Sequence, residues 1–159
     1  MSNKPKYLEQ WERVNRWYNR FKMINTGRPH DQPSENYQDD VYAFFLNCYH
    51  LKDWIRNDQS TGAAAGKVEK FVENSVELNL CRDICNSIKH LKLKCSKSGK
   101  DPRFGRRDNK LDLGGGAPTI AVNYEIQTTT GPIDAFELAT KCIRAWESFF
   151  ESNITVLPQ

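Results

Sequence analysis

No stretch of this sequence is apolar for long enough to cross a bilayer as a helix, which takes about 20 residues. The opening stretch MSNKPKYLEQ lacks an apolar core segment, so no secretory signal is expected there. Histidine is scarce, with three in 159 residues, and the net charge is only +3. That charge is too small by itself to demand a polyanionic partner. The five cysteines, Cys48, Cys81, Cys85, Cys95 and Cys142, are odd in number. Three lie in apolar helical patterns, which argues against a disulfide-stapled scaffold. They read as reduced thiols behaving as small hydrophobes in a cytoplasmic protein. Cys81 and Cys85 are spaced CxxxC, but no second Cys/His pair stands at zinc-ligand spacing. The run Gly114-Gly115-Gly116-Ala117-Pro118 is not followed by a helix opening on Lys-Ser/Thr, so it is not a phosphate loop. His50, Asp53, Asp83 and His90 come as pairs on two helical segments, yet the Glu-x-x-His motif of di-metal bundles is missing. No metal and no cofactor are expected.

What is present is helical periodicity. Leu8, Trp11, Val14, Tyr18, Phe21 and Ile24 recur every three or four residues, between Pro5 and the stop Thr26-Gly27-Arg28-Pro29. His30 to Glu35 reads as a polar connector. A long helix over about Tyr37 to Asn57 carries the stripe Val41, Phe44, Phe45, Cys48, Leu51 and Ile55. Ala43, Leu46, His50 and Trp54 fall on its opposite side. A helix apolar on two faces is either central in the fold or shared with a second subunit. Gln59 to Gly66 reads as a loop of small residues. From Val68, Phe71 and Val72 to Leu80, Ile84, Ile88 and Leu91 the stripe jumps in phase, which predicts a break near Asn74-Ser75, with Asn74 and Glu77 as a capping box. Lys94 to Lys110, KCSKSGKDPRFGRRDNK, holds seven Lys/Arg and two Asp, a net of +5, so the rest of the chain sums to −2. It reads as an exposed loop. Ile120, Val122, Tyr124 and Ile126 alternate as a strand, with Leu91-Lys92-Leu93-Lys94 or Leu111-Asp112-Leu113 as its partner. Asp134 is placed to cap a last helix with the stripe Ala135, Leu138, Ala139, Cys142, Ile143, Trp146, Phe149 and Phe150.

The expected architecture is one mainly α domain over 1–159, an up-and-down antiparallel four-helix bundle. Residues 94–118 form a basic and Gly-rich loop, and a small β-hairpin over 119–130 precedes the last helix.

The segment CRDICNSIKH, residues 81 to 90, carries the chemistry. Arg82, Asp83, Asn86 and His90 lie away from the stripe of Leu80, Ile84, Ile88 and Leu91. His50 and Asp53, within YHLKDW, sit on the long helix. An imidazole beside a carboxylate is suited to move protons near neutral pH, and an arginine holds phosphate through two parallel hydrogen bonds. Together these are the parts of a metal-independent ribonuclease. In the basic segment, Lys97, Lys100, Arg103, Arg106 and Arg107 surround Phe104, a composition suited to stacking on an unpaired base while binding phosphate. The plainer readings make His90 a helix C-terminal cation and the acids surface ion-pair partners.

This helical pattern, with a polar motif ending in His on its third long helix, resembles the HEPN superfamily. YHLKDW, CRDICNSIKHLKL and DAFELATKCIRAWESFF are also similar to segments of small bacterial and phage proteins of this length. The resemblance implies a HEPN-like bundle that forms a homodimer with a composite cleft. In active members it implies metal-independent RNA cleavage, in a toxin or anti-phage defence setting. The family signature is Arg, often a polar residue, then four to six residues, then His. Here Arg82 is followed by Asp83, and seven residues separate Arg82 from His90. By that resemblance Arg82 is the phosphate clamp and His90 the acid/base; the reading of the residues themselves adds Asn86, Asp83 and His50 as orienting groups. The expected partners are a second copy, RNA, and a cognate antitoxin or other partner protein. The alternative is a non-catalytic HEPN-like scaffold or regulatory subunit that binds a partner protein or a nucleotide.

Overall fold

The structure, a computed structural model, describes residues 3–90 and 96–154. It is mainly helical with a small antiparallel sheet. Helix α1 spans Lys6–Thr26, α2 Ser34–Asn57, α3 Val68–Asn74, α4 Val76–His90 and α5 Ala135–Asn153. A 3-10 segment, Gln59–Gly66, links α2 to α3. The strands are β1 Arg28–Pro29, β2 Arg103–Asp112, β3 Thr119–Thr128 and β4 Gly131–Asp134. Among the described residues no helix is long and apolar enough to cross a membrane.

Helix α2 is the central element. Val41, Phe44, Phe45, Cys48, Leu51 and Ile55 are all fully buried, and α1, α4 and α5 pack around them. Phe21 of α1 meets the rings of Phe44, Phe45 and Phe136. Polar bonds fix how the helices register. Gln10 Nε2 of α1 donates to the Asn47 carbonyl at 3.1 Å, and the Trp146 indole N–H of α5 donates to the Cys48 carbonyl at 3.1 Å. The first turn of α1 has no side-chain cap of its own. Asp58, just past α2, accepts the Tyr7 N–H at 2.9 Å and the Ser60 N–H at 2.9 Å. One carboxylate thereby ties the start of α1 to the end of α2. Burial works to raise its pKa, but those N–H donors outweigh burial and hold it below the ordinary carboxylate range.

Helix ends follow local chemistry. Gly27 stops α1 at φ 136°, a backbone region that residues with a Cβ rarely adopt. The expected phase break lies at Ser75, between α3 and α4. The restarting cap is Ser75, not Asn74: its Oγ accepts the Leu78 N–H at 3.2 Å and donates to Glu77 at 3.1 Å. Asp134 caps α5 as expected, accepting the Glu137 N–H at 2.8 Å. Gln59–Gly66 is not a loop. Its small residues wind into 3-10 turns that kink at Gly62, where φ is 56°.

The sheet is larger than a hairpin over 119–130. β3 is its middle strand, paired antiparallel with β1, β2 and β4. Ile120, Val122, Tyr124 and Ile126 face inward and are buried against the helices, chiefly α1 and α5. The larger correction concerns 103–112. This basic run is not a loop but the strand β2, in register from Arg103 opposite Gln127 to Asp112 opposite Thr119. A bulge between Phe104 and Arg107 shifts that register. Gly105 lies within it, and a Cβ there would stand 2.7 Å from Gln127 Cγ. Of the two partner strands considered from sequence, Leu111-Asp112 lies within β2, while Leu91 to Lys94 lies outside the described residues. Gly114 to Pro118 turns β2 into β3, as the glycine run implied.

Replacing Phe44 by Ala should cost about 3–5 kcal/mol, the range for deleting a buried aromatic. Ser75→Ala should cost about 1 kcal/mol through the lost cap. Urea midpoints read both values. A Phe44→Ala loss no larger than that of Ser75→Ala would contradict the central position given to α2.

Candidate functional site

Helix α4 and strand β2 bound an open cleft of about 630 Å³. Ser87, Ile88, Lys89 and His90 line it from the last described turns of α4, Arg103 and Phe104 from β2, and Tyr42 from α2. The amphipathic phase of α4 explains its wall. Leu80, Cys81, Ile84 and Cys85 turn into the core, while Lys89 and His90 are exposed at the end where the helix dipole favours cations.

Phe104 is half-buried among aromatic rings. It lies 4.9 Å from Tyr42, 6.0 Å from Phe45 and 6.4 Å from Tyr124, centroid to centroid. This packing anchors the basic strand to the helices. It also leaves Phe104 with only part of its surface for a ligand. Behind it, the Tyr124 hydroxyl is buried and finds no hydrogen-bond partner among the described residues. Burial is the main cause that pushes its pKa up to about 12, against the opposing pull of Arg107.

The sequence-derived candidates divide between several places. His90, Arg103 and Phe104 meet at the cleft. Arg82 does not line it: eight residues at 1.5 Å rise set Arg82 and His90 about 12 Å apart along the axis. Arg82 bonds Asn79 at 2.6 Å, and its Nε is buried without a partner among the described residues. Asn86 is half-buried on the same helix and does not line the cleft. His50 is exposed on α2 with its ring 5.5 Å from that of Tyr49, and it also lies off the cleft. Its neighbour Asp53 engages Lys52 at 3.6 Å and Arg56 at 3.5 Å, the ion-pair fate of a helix-face acid. Lys97 is exposed beside α4, and Arg106 is exposed and paired with Asp108 at 3.0 Å. Arg107 is exposed opposite Tyr124. Lys100 turns away to a separate depression that it shares with Glu77, Asp134 and Lys141.

Asp83 has a different position from the one its sequence suggested. It is fully buried and faces neither solvent nor the cleft. Its carboxylate accepts the Lys97 N–H at 2.9 Å, the Ser98 N–H at 2.9 Å, the Ser96 hydroxyl at 2.8 Å and the Ser98 hydroxyl at 2.5 Å. The turn Ser96 to Asp101 wraps this anion much as a nest of amides wraps a phosphate. Asp101 closes it with a left-handed φ of 41°, costing about 1–3 kcal/mol, and its N–H donates to Ser96 Oγ at 3.0 Å. Helical periodicity placed Asp83 on the polar side. The loop that covers it is distant in sequence from any pattern that would reveal the contact. A carboxylate within reach of Ser-Lys-Ser was the available signal.

No family model, curated protein or solved structure matches this chain.

Burial acts to raise the Asp83 pKa, but the hydrogen bonds from Ser98, Ser96 and the Lys97 amide prevail and lower it. The folded state therefore binds this proton more weakly than the unfolded chain. Its stabilisation is complete above the ordinary carboxylate value of about 3.9 and fades as pH falls through the lower folded value. Asp83→Asn should lose on the order of 2–3 kcal/mol at neutral pH, since an amide cannot accept from all four donors. The difference from wild type, read by urea unfolding, should shrink toward pH 3. Exchange of the Lys97 and Ser98 amides should accelerate in the variant; unchanged exchange would refute the clamp.

Proposed function

We propose that this chain is an RNA-directed protein of the HEPN-like kind, an up-and-down antiparallel bundle of α1, α2, α4 and α5. Its RNA site is the cleft between α4 and β2. The observation that carries the reading is the meeting of an exposed imidazole, His90, with Lys89, Arg103 and the ring of Phe104 around one cleft of about 630 Å³. Two cations from different elements suit a phosphodiester, and the ring edge suits an unpaired base beside it. Arg106, Arg107 and Lys110 continue the positive charge along β2 and would track the backbone of a single strand.

In the catalytic form of this reading, His90 takes the proton of a ribose 2′-hydroxyl. That oxygen attacks the adjacent phosphorus, and the 5′-oxygen leaves with a proton returned by an acid. The products are a 2′,3′-cyclic phosphate and a 5′-hydroxyl, with no metal required. Within one protomer Arg103 and Lys89 are the cations beside His90. Arg82 acts as phosphate clamp only if a homodimer through α2 and α4 brings a second copy's α4 to the cleft. Asn86 and His50 join as orienting groups under the same condition. The burial of Asp83 and the distance of Arg82 favour a second reading, a non-catalytic HEPN-like scaffold or regulatory subunit that binds a partner protein or a nucleotide.

Fluorescence anisotropy with a single-stranded RNA oligonucleotide, across a salt series, tests binding. Each lost phosphate contact should reduce the log-log salt slope by about 0.7, so Arg103→Ala should flatten it by about that amount. Phe104→Ala should weaken binding by about 1–3 kcal/mol if a base stacks there. Incubation in EDTA separates the two forms: cyclic-phosphate ends that vanish in His90→Ala mark the nuclease, and intact RNA marks the scaffold. Binding that is salt-insensitive and indifferent to Arg103 would dismiss the RNA site and leave the scaffold.

A further inference from the structure

Away from the cleft, three helices bring one cysteine each to a single point. Cys48 of α2, Cys81 of α4 and Cys142 of α5 have sulfurs that all lie within 4.8 Å of one another, and all three residues are fully buried. We propose that these thiols form a three-sulfur site for a soft trivalent ion, with arsenic(III) as the chemically accessible case.

The geometry fits a three-coordinate centre. Arsenic(III) keeps a lone pair and is pyramidal, so sulfurs bound at about 2.3 Å stand about 3.5 Å apart, and closing the present triangle takes shifts of under about 1 Å. Among the described residues no His, Asp or Glu joins the group as a fourth ligand. This disfavours zinc, which takes four ligands in closed structural sites. Softness of the donors excludes hard cations.

Charge selects among the soft ions. Three thiolates around a trivalent centre make a neutral unit, which an apolar core accepts without an ion-solvation cost. Zinc(II) would leave one negative charge and copper(I) two. Lys52, the one buried cation among the described residues, is committed to Glu69 at 3.1 Å. The loading step balances without an oxidant or reductant. Arsenous acid loses three hydroxyls and three thiols lose their protons, giving three As–S bonds and three waters. Deprotonation orphans nothing. Cys81 Sγ now bonds the Phe45 carbonyl at 3.4 Å and Cys142 Sγ the Glu77 carbonyl at 3.5 Å. Both carbonyls lie inside helices, where backbone N–H groups serve them. Burial opposes ionisation of all three thiols. Loading therefore displaces the three protons only as the As–S bonds form. Since the sulfurs are sealed from solvent, the ion enters as the core forms or opens, so loading is coupled to folding.

The test is refolding of the full reduced chain with arsenite, copper(I) or zinc(II), in a Cys85→Ala/Cys95→Ser background that leaves only the three thiols. Native mass spectrometry should find one arsenic per chain with three protons displaced, and X-ray absorption should find three sulfur neighbours. The thermal midpoint should rise with arsenite concentration. Cys142→Ala, and independently Cys48→Ser, should weaken loading at least about a hundredfold, beyond what loss of an outer-shell partner costs; circular dichroism confirms that each is folded. No arsenic on the refolded wild type, equal loading on either folded variant, or tighter retention of zinc than of arsenic would overturn the site.

Discussion

A single buried carboxylate holds the two halves of this molecule in register. Asp83 belongs to α4, and the four donors it gathers belong to the turn that launches β2. An isolated carboxylate in a core is costly, and its presence there is explained only by donors that replace water. The same bonds decide where the basic strand begins. From that origin Arg103 and Phe104 are delivered to the side of α4 that carries Lys89 and His90. The helical core determines that a cleft wall exists, and Asp83 determines what stands across from it.

The aromatic contacts of Phe104 complete this arrangement from the other side. With Tyr42, Phe45 and Tyr124 around it, Phe104 joins the strand to α2 while its neighbours Arg103 and Arg107 remain solvated. The rest of β2 is exposed on both faces. A strand so placed contributes little to the core and derives its shape from pairing with β3. Its solvated cations can therefore meet a charged partner without a loss of buried packing, with Arg103 exchanging its surface pair with Asp101 at 3.2 Å and Arg106 its pair with Asp108 at 3.0 Å.

Much of the helical frame was legible in the sequence because it depends on local periodicity. The α2 and α5 stripes are buried residue for residue, and the phase jump between Val72 and Leu80 corresponds to the break at Ser75. The strand β2 was not legible. Apart from Phe104 and Leu111 its residues are polar or glycine on both faces, so no alternation announces it, and its seven-cation neighbourhood has the composition of a loop. The candidate site was legible as a set of residue types but not as a constellation. His90, Arg103 and Phe104 meet because a turn folds back on α4. Arg82 and His50 are kept away by helix rise and by which face of α2 points outward. The cysteines were read singly, each as a small apolar residue within its own stripe. Their convergence involves three helices and leaves no trace in any one of them.

The bulge between Phe104 and Arg107 has a hereditary consequence. Side chains along a strand alternate strictly, so one extra residue reverses which members of the following sequence look toward the helices. With it, Arg107 shares a face with Tyr124 and Asn109 with Val122. A lineage that kept every codon but paired the strand without the bulge would leave its length and net charge unchanged. It would nonetheless turn Asp108 and Lys110 inward and send Arg107 to the far side, recoding the surface without altering its composition.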